Sequence, residues 1–128
     1  MRYLLDTNAY YKLRTEPQDL GRAALRLLTE GNHELLISTI TPWELAIKAK
    51  IGKLAAGTLL LDFESREIQA GFIMAPITTV QAVASGMLPL HHKDPFDRLL
   101  IAQSLELRAP VLSSDRIFDR YGVQRIWA

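Results

Sequence analysis

Four acidic residues, Asp6, Glu44, Asp97 and Asp115, lie far apart in the chain, yet each falls where the local pattern predicts a strand to end or a helix to begin. Carboxylates gathered at one such place would face a steep electrostatic cost. Two of them about 5 Å apart repel by roughly 3 kcal/mol at an effective dielectric near 20. A cation or protons must offset that. Hard oxygen donors, with neither Cys nor His among them, select Mg²⁺ or Mn²⁺ over zinc. One such ion lowers the pKa of a bound water, and a second about 4 Å away stabilises a leaving oxygen. The chemistry this implies is hydrolysis of a phosphodiester by activated water, with no protein nucleophile.

Each acid also has a purely structural explanation. Asp6 can close a turn with Thr7 and Asn8. Glu44 stands three residues after Thr41, the spacing of a capping box, with Pro42 at the first helical position. Asp97 sits in the first turn of a helix, where acids favour the helix dipole. Asp115 can cap a short turn through Phe118, and Asp94 reads as a cap rather than a ligand. What raises the four above these explanations is their shared placement.

That placement depends on the elements around them. Tyr3-Leu4-Leu5 is a short apolar run read as a buried strand, followed by a short helix from Asn8 to Leu13. Leu20 to Glu30 carries Leu20, Ala24, Leu27 and Leu28 at helical spacing, with Gly31 as the stop. Glu34 to Ser38 reads as a second strand, and a helix follows from Thr41 to Lys50. Helices are predicted over Leu60 to Gln69 and Thr78 to Met87. Between them Phe72 to Ile77 reads as an edge strand, because it contains Pro76. Asp94-Pro95-Phe96-Asp97 opens another helix, with Asp94 as cap. Pro110 to Ser113 and Val123 to Trp127 complete the strands. Alternating strands and helices predict a three-layer α/β/α sandwich with a central, mainly parallel sheet covered on both faces. In such sheets ligands bind beyond the carboxyl ends of the strands, which is where the four acids fall.

The chain has 128 residues, 48% of them apolar, which suits one core and a single domain over 1–128. Lys plus Arg is 15 and Asp plus Glu is 14, a balance that argues against coating nucleic acid by bulk charge. No cysteine is present, which excludes disulfides, zinc–thiolate sites and thiol nucleophiles. An acid at position 6 interrupts any signal-peptide apolar run, and no stretch approaches the roughly 18 residues of a membrane span. The expectation is a cytoplasmic protein with no membrane association. Other motifs carry less. The neighbouring His91 and His92 read as solvated loop residues, since adjacent side chains rarely face one ligand. Ser113-Ser114-Asp115 lacks the Gly-x-Ser-x-Gly of a nucleophile elbow, and no Gly-rich phosphate loop occurs. Trp43 reads as core or as support for Glu44. Lys48, Lys50 and Lys53 read as a solvated helix face, with a phosphate-binding rim as the alternative.

Several segments together resemble the PIN-domain proteins, and among them the VapC-like toxins of bacterial toxin–antitoxin pairs. They are Leu4-Leu5-Asp6-Thr7-Asn8; Pro42-Trp43-Glu44-Leu45-Ala46-Ile47-Lys48 with Gly52-Lys53-Leu54; the run from Leu88 to Gln103 that includes Asp94-Pro95-Phe96-Asp97-Arg98; and Ser114-Asp115 with Tyr121-Gly122-Val123. They occur in family order and span nearly the whole chain. The resemblance implies a Mg²⁺- or Mn²⁺-dependent endoribonuclease, homodimeric and inhibited by a cognate antitoxin. Asp6, Glu44 and Asp97 match the family's first three acids. Asp115 matches the fourth, with Asp119 as a nearby substitute. Thr7 or Asn8 would orient Asp6 or hold a metal water.

Three rival readings keep the acidic pocket and change its use. A signalling receiver domain would also hold Mg²⁺, but it expects paired acids after the first strand and a Lys after the late one; here Asp6-Thr7 and Ser113-Ser114-Asp115 stand instead. A haloacid-dehalogenase-like phosphatase with Asp6 as nucleophile would need an acid at Asn8. A non-catalytic PIN-like binding module would have no use for four intact acids.

Overall fold

The computed structural model describes residues 1–128. Its centre is a sheet of five strands: β1 (Arg2–Leu5), β2 (Glu34–Ser38), β3 (Ile73–Ala75), β4 (Val111–Leu112) and β5 (Arg125–Ile126). Their spatial order is β3-β2-β1-β4-β5, and every neighbouring pair is parallel. The α/β/α sandwich with a parallel sheet is therefore as expected, and β3, the Pro76-flanked segment, is indeed an edge. The central strand shows why the sheet must be covered twice. Tyr3 and Leu5 pack into one apolar layer, with Tyr10, Ala24, Phe63 and Phe72, while Leu4 packs into the other, with Leu36, Leu100, Ile101 and Phe118. Strand side chains alternate between faces, so an all-apolar strand requires a core on each side.

Six helices supply those layers: α1 (Thr7–Thr15), α2 (Arg22–Glu30), α3 (Ile40–Lys50), α4 (Phe63–Gln69), α5 (Thr79–Met87) and α6 (Pro95–Leu107). Gly31 ends α2 in the left-handed conformation at φ 79°, as its position after Glu30 suggests. That helix starts at Arg22 rather than Leu20, with Gly21 as its cap in extended conformation, packed against Trp127. A Cβ built there would meet the Trp127 carbonyl oxygen at 2.0 Å. The predicted helix from Leu60 is split. A 3₁₀ turn over Gly57–Leu60 precedes α4, and Asp62 between them has φ 50°, which a continuous helix cannot include.

The capping box read at Thr41 and Glu44 does not form. The helix begins earlier, with Thr39 as cap and the Ser38 hydroxyl accepting from the Ile40 N–H at 3.1 Å. Thr41 turns inward and its hydroxyl meets that of Thr7 at 3.5 Å. Pro42 then occupies the third helical position, where an N–H would still lack an intrahelical partner. Glu44 is displaced into the second turn, and its capping explanation falls.

The order of strand addition reverses between β1 and β4, which are parallel spatial neighbours although β2 and β3 lie between them in sequence. This is the switch point at which α/β sheets open a crevice beyond their carboxyl ends. Register aligns Leu5 with both Ile37 and Leu112. Asp6 and Ser113 therefore leave the sheet side by side, and the Asp6 N–H donates to the Leu112 carbonyl at 3.3 Å.

Arg98 fixes the far wall of that crevice. It is 8% exposed, and its guanidinium donates to the carbonyls of Ser85, Leu88 and Pro89 at 2.9 Å each and of His92 at 3.2 Å. It thus ties the end of α5 and the loop after it to the first turn of α6. Replacing Arg98 by Met should cost about 3 kcal/mol in urea unfolding, since buried carbonyls lose charge-assisted donors. A loss below about 1 kcal/mol would show that water replaces the guanidinium there.

Candidate metal centre

At the switch point lies a crevice of about 160 Å³ lined by Asp6, Thr7, Asn8, Glu44, Lys48, Asp94, Asp97, Ser114 and Asp115, with no apolar residue among them. The structure thus brings together all four acids singled out in the sequence. They arrive by different routes. Asp6 directly follows β1 and caps α1, its Oδ1 accepting from the Ala9 N–H at 2.7 Å. Glu44 comes from the second turn of α3, and Asp97 from the first turn of α6. Asp115 follows β4 and caps a 3₁₀ turn over Arg116–Tyr121, accepting from the Ile117 N–H at 3.0 Å.

Their environments differ. Asp6 and Glu44 are each 7% exposed, whereas Asp115 is on the surface. Burial pushes the Asp6 carboxyl up to about 6, and Asp97 and Glu44 nearby add to it, against hydrogen bonds from Ser113 and Ala9. Asp97 is likewise pushed up to about 6, first by burial and then by Asp94 and Glu44, with His92 opposing. Protein alone thus leaves these two carboxylates short of compensation near neutral pH.

Glu44 shows the shortfall atom by atom. Its Oε2 receives Lys48 Nζ at 3.0 Å, but its Oε1 is buried with no hydrogen-bond partner at all. A buried polar oxygen without a partner is costly, and native proteins avoid leaving one. A divalent cation in the crevice would satisfy it. The donors on offer are carboxylate oxygens with hydroxyl and amide oxygens from Thr7, Ser114 and Asn8, a set suited to a hard ion.

The remaining sequence readings sort clearly. Asp94 lines the crevice and also caps α6, accepting from the Phe96 N–H at 2.9 Å. Asp119 does not reach the crevice; both its oxygens pair with Arg125, at 3.1 and 3.3 Å. Lys48 lines the crevice, as the rim alternative held, while Lys50 and Lys53 face solvent. Trp43 is neither core nor a support for Glu44. It is 55% exposed and meets Phe96 edge to face at 4.8 Å. His91 stays in solvent against Tyr121, but His92 does not. Its Nε2 lies 2.7 Å from Asp97 Oδ2, and ligand atoms of His92, Asp94 and Asp97 all fall within 4.8 Å of one another. The five-residue spacing from His92 to Asp97 carries no helical or strand period. Only the fold of the intervening turn brings them together.

The fold and the crevice define a class: a doubly covered parallel α/β protein with an acidic crevice at its topological switch point. More particularly, the chain belongs to the PIN domain family, whose model matches residues 3–124. No curated protein matches it in sequence. Among solved structures it is similar to a chain of VapBC2 from Rickettsia felis bound to a promoter DNA fragment, with 16% identity, a TM-score of 0.70 and 100% of both chains covered. A chain of DNA-bound VapBC from Salmonella typhimurium gives 20% identity and a TM-score of 0.70, covering 98% of this chain and 97% of that one. A chain of FitAcB from Neisseria gonorrhoeae gives 20% and 0.64, covering 98% and 96%. No helix is long and apolar enough to cross a membrane.

Proposed function

We propose that this chain is a Mg²⁺- or Mn²⁺-dependent endoribonuclease, the toxin half of a toxin–antitoxin pair. The observation that carries the reading is the unpartnered buried Oε1 of Glu44, set among three further carboxylates in a crevice without apolar lining. Membership of the PIN domain family and the likeness to chains of VapBC and FitAcB complexes support it.

Asp6, Glu44 and Asp97 would hold the cation, with Asp115 at the open side. When bound, the cation supplies Lewis acidity toward a phosphodiester and a water of lowered pKa. The protein groups do the rest. The rigid ends of β1 and β4 hold Asp6 and the Ser114-Asp115 turn at fixed separation. Lys48, kept at the crevice by Glu44, presents the only ammonium there and meets the phosphate charge. Asn8 and Ser114 offer neutral donors and acceptors that orient a water or the scissile group. The crevice holds no Cys, and with its carboxylates assigned to the cation the attacking group in this reading is water rather than a protein nucleophile. With the reading come RNA as substrate, a cognate antitoxin as inhibitor, a homodimer and a cytoplasmic location.

The test is direct. The purified chain should cleave RNA in Mg²⁺ or Mn²⁺ and lose at least about 100-fold of that rate in EDTA, because removing the ion removes the main charge stabilisation. Expression alone should arrest growth, and co-expression with the antitoxin should relieve it. Absence of both cleavage and toxicity in a folded preparation would overturn the reading.

A further inference from the structure

His92 is held in place more firmly than a loop residue requires. Its N–H donates to the Tyr121 hydroxyl at 2.9 Å, and that hydroxyl donates onward to the Pro89 carbonyl at 2.6 Å. Its carbonyl accepts from Arg98 at 3.2 Å. Two side chains from different elements, the first turn of α6 and the 3₁₀ turn after β4, thus fix the backbone on both sides of one imidazole. The ring is then aimed. Nδ1 faces the Asp94 N–H at 3.4 Å, which makes it an acceptor and assigns the ring proton to Nε2, 2.7 Å from Asp97 Oδ2.

We propose that His92 is a positioning residue of the metal centre: by donating from Nε2 to Asp97 Oδ2 it fixes the carboxylate's rotation and leaves Oδ1 to take the cation monodentately. This rests on the metal-dependent reading of the crevice. The physical reason is the ligand count. A carboxylate free to rotate can chelate one ion with both oxygens or turn away from it, and each alternative degrades the near-octahedral geometry that Mg²⁺ demands. A partner that occupies one oxygen removes both alternatives. Such partners of ligating groups commonly govern affinity by 10–100-fold. The arrangement inverts the usual pair, in which a carboxylate orients a ligating histidine. It also gives a single purpose to the side chains of Arg98 and Tyr121, which stand outside the crevice and hydrogen-bond only backbone groups.

Three variants of the full chain, His92→Ala, His92→Gln and Asp97→Asn, test this through Mn²⁺ titration by calorimetry, alongside RNA cleavage. For His92→Ala, Mn²⁺ should bind roughly 10–100-fold more weakly. Cleavage should fall at limiting Mn²⁺ and recover at saturating Mn²⁺ with KM for RNA unchanged. His92→Gln, whose amide can donate to the same oxygen, should recover most of the affinity. Melting temperatures without metal should stay close to the parent for both, which separates positioning from folding. Pulsed EPR of the Mn²⁺-loaded parent should show no nitrogen coupling that disappears in His92→Gln. Such a coupling would make His92 a direct ligand and overturn the proposal, as would parental Mn²⁺ affinity in His92→Ala while Asp97→Asn loses it. If the parent and Asp97→Asn bind Mn²⁺ equally, Asp97 is no ligand and this inference fails alone; if the parent binds no Mn²⁺, the metal-dependent reading fails with it.

Discussion

Replacing Asp97 or Asp6 by Asn is expected to abolish metal-dependent RNA cleavage and, at the same time, to make the metal-free protein more stable. The two effects have one cause. Both carboxyls are pushed up to about 6, chiefly by burial. An ionised group there costs folding energy near neutral pH, because the unfolded chain solvates the charge fully. Raising a carboxyl from 3.8 to about 6 corresponds to about 3 kcal/mol. Asn keeps the shape without the charge. At position 6 it can still cap α1 by accepting from the Ala9 N–H, since Asn is among the best capping residues. At position 97 its carbonyl can still accept from His92. The expected gain is about 2 kcal/mol per variant, read as a rise in melting temperature of about 8 °C in EDTA. The expected loss of cleavage is at least about 1,000-fold, or about 4 kcal/mol of transition-state stabilisation, because a neutral amide binds the cation poorly. An acid kept for structure would behave oppositely, losing stability and retaining activity. Undiminished cleavage by a folded Asp97→Asn or Asp6→Asn variant would remove that residue from the reaction.

Which parts of this site were legible in the sequence follows from the range of the forces involved. Asp6 and Asp115 are found by local pattern, since Asp6 directly follows a short apolar run that reads as a buried strand and Asp115 follows another after two serines. Asp97 is found the same way, because Asp94-Pro95 opens a helix by local backbone chemistry. Glu44 was harder, as Thr41-Pro42 offered a complete local account of it. The fold overrode that account. Ser38 starts the helix early, and the Thr41 hydroxyl is drawn inward to Thr7, a residue 34 positions away. No propensity encodes such a contact. The same holds for His92, whose position depends on Tyr121 and on Arg98, and for Lys48, whose crevice-facing role depends on where Glu44 settles. Backbone-local chemistry places the acids. Long-range packing decides which neutral and basic side chains join them.

The same two carboxylates predict how stability should depend on pH and metal together. Asp6 and Asp97 each have a folded pKa near 6 against an ordinary 3.8. A group raised on folding contributes stability that is fully present below its unfolded pKa and lost as pH rises through its folded pKa. The metal-free protein should therefore lose stability chiefly between about pH 4.5 and 6.5, where the folded state still holds protons that the unfolded chain has released. The sum should be on the order of 4 kcal/mol, less than twice the single-site figure because part of the burial cost is shared. Glu67 does not confuse this window. Burial alone would raise it, but Arg14 and the Tyr10 hydroxyl hold it below its ordinary 4.5, so its contribution is lost only at lower pH. A cation opposes the slope. It competes with protons for the same oxygens, so Mn²⁺ at 100 times its dissociation constant should add about 2.7 kcal/mol near pH 7.5 and almost nothing at pH 5. Thermal melts from pH 5 to 8, in EDTA and in Mn²⁺, should therefore diverge as pH rises, and the divergence should vanish in Asp97→Asn. Parallel curves would mean that the ion binds elsewhere, and a flat EDTA curve would mean that the two acids are solvated rather than confined. Either result would remove the reason for gathering them, since a crevice that costs nothing to hold empty exerts no selection for the ion that fills it.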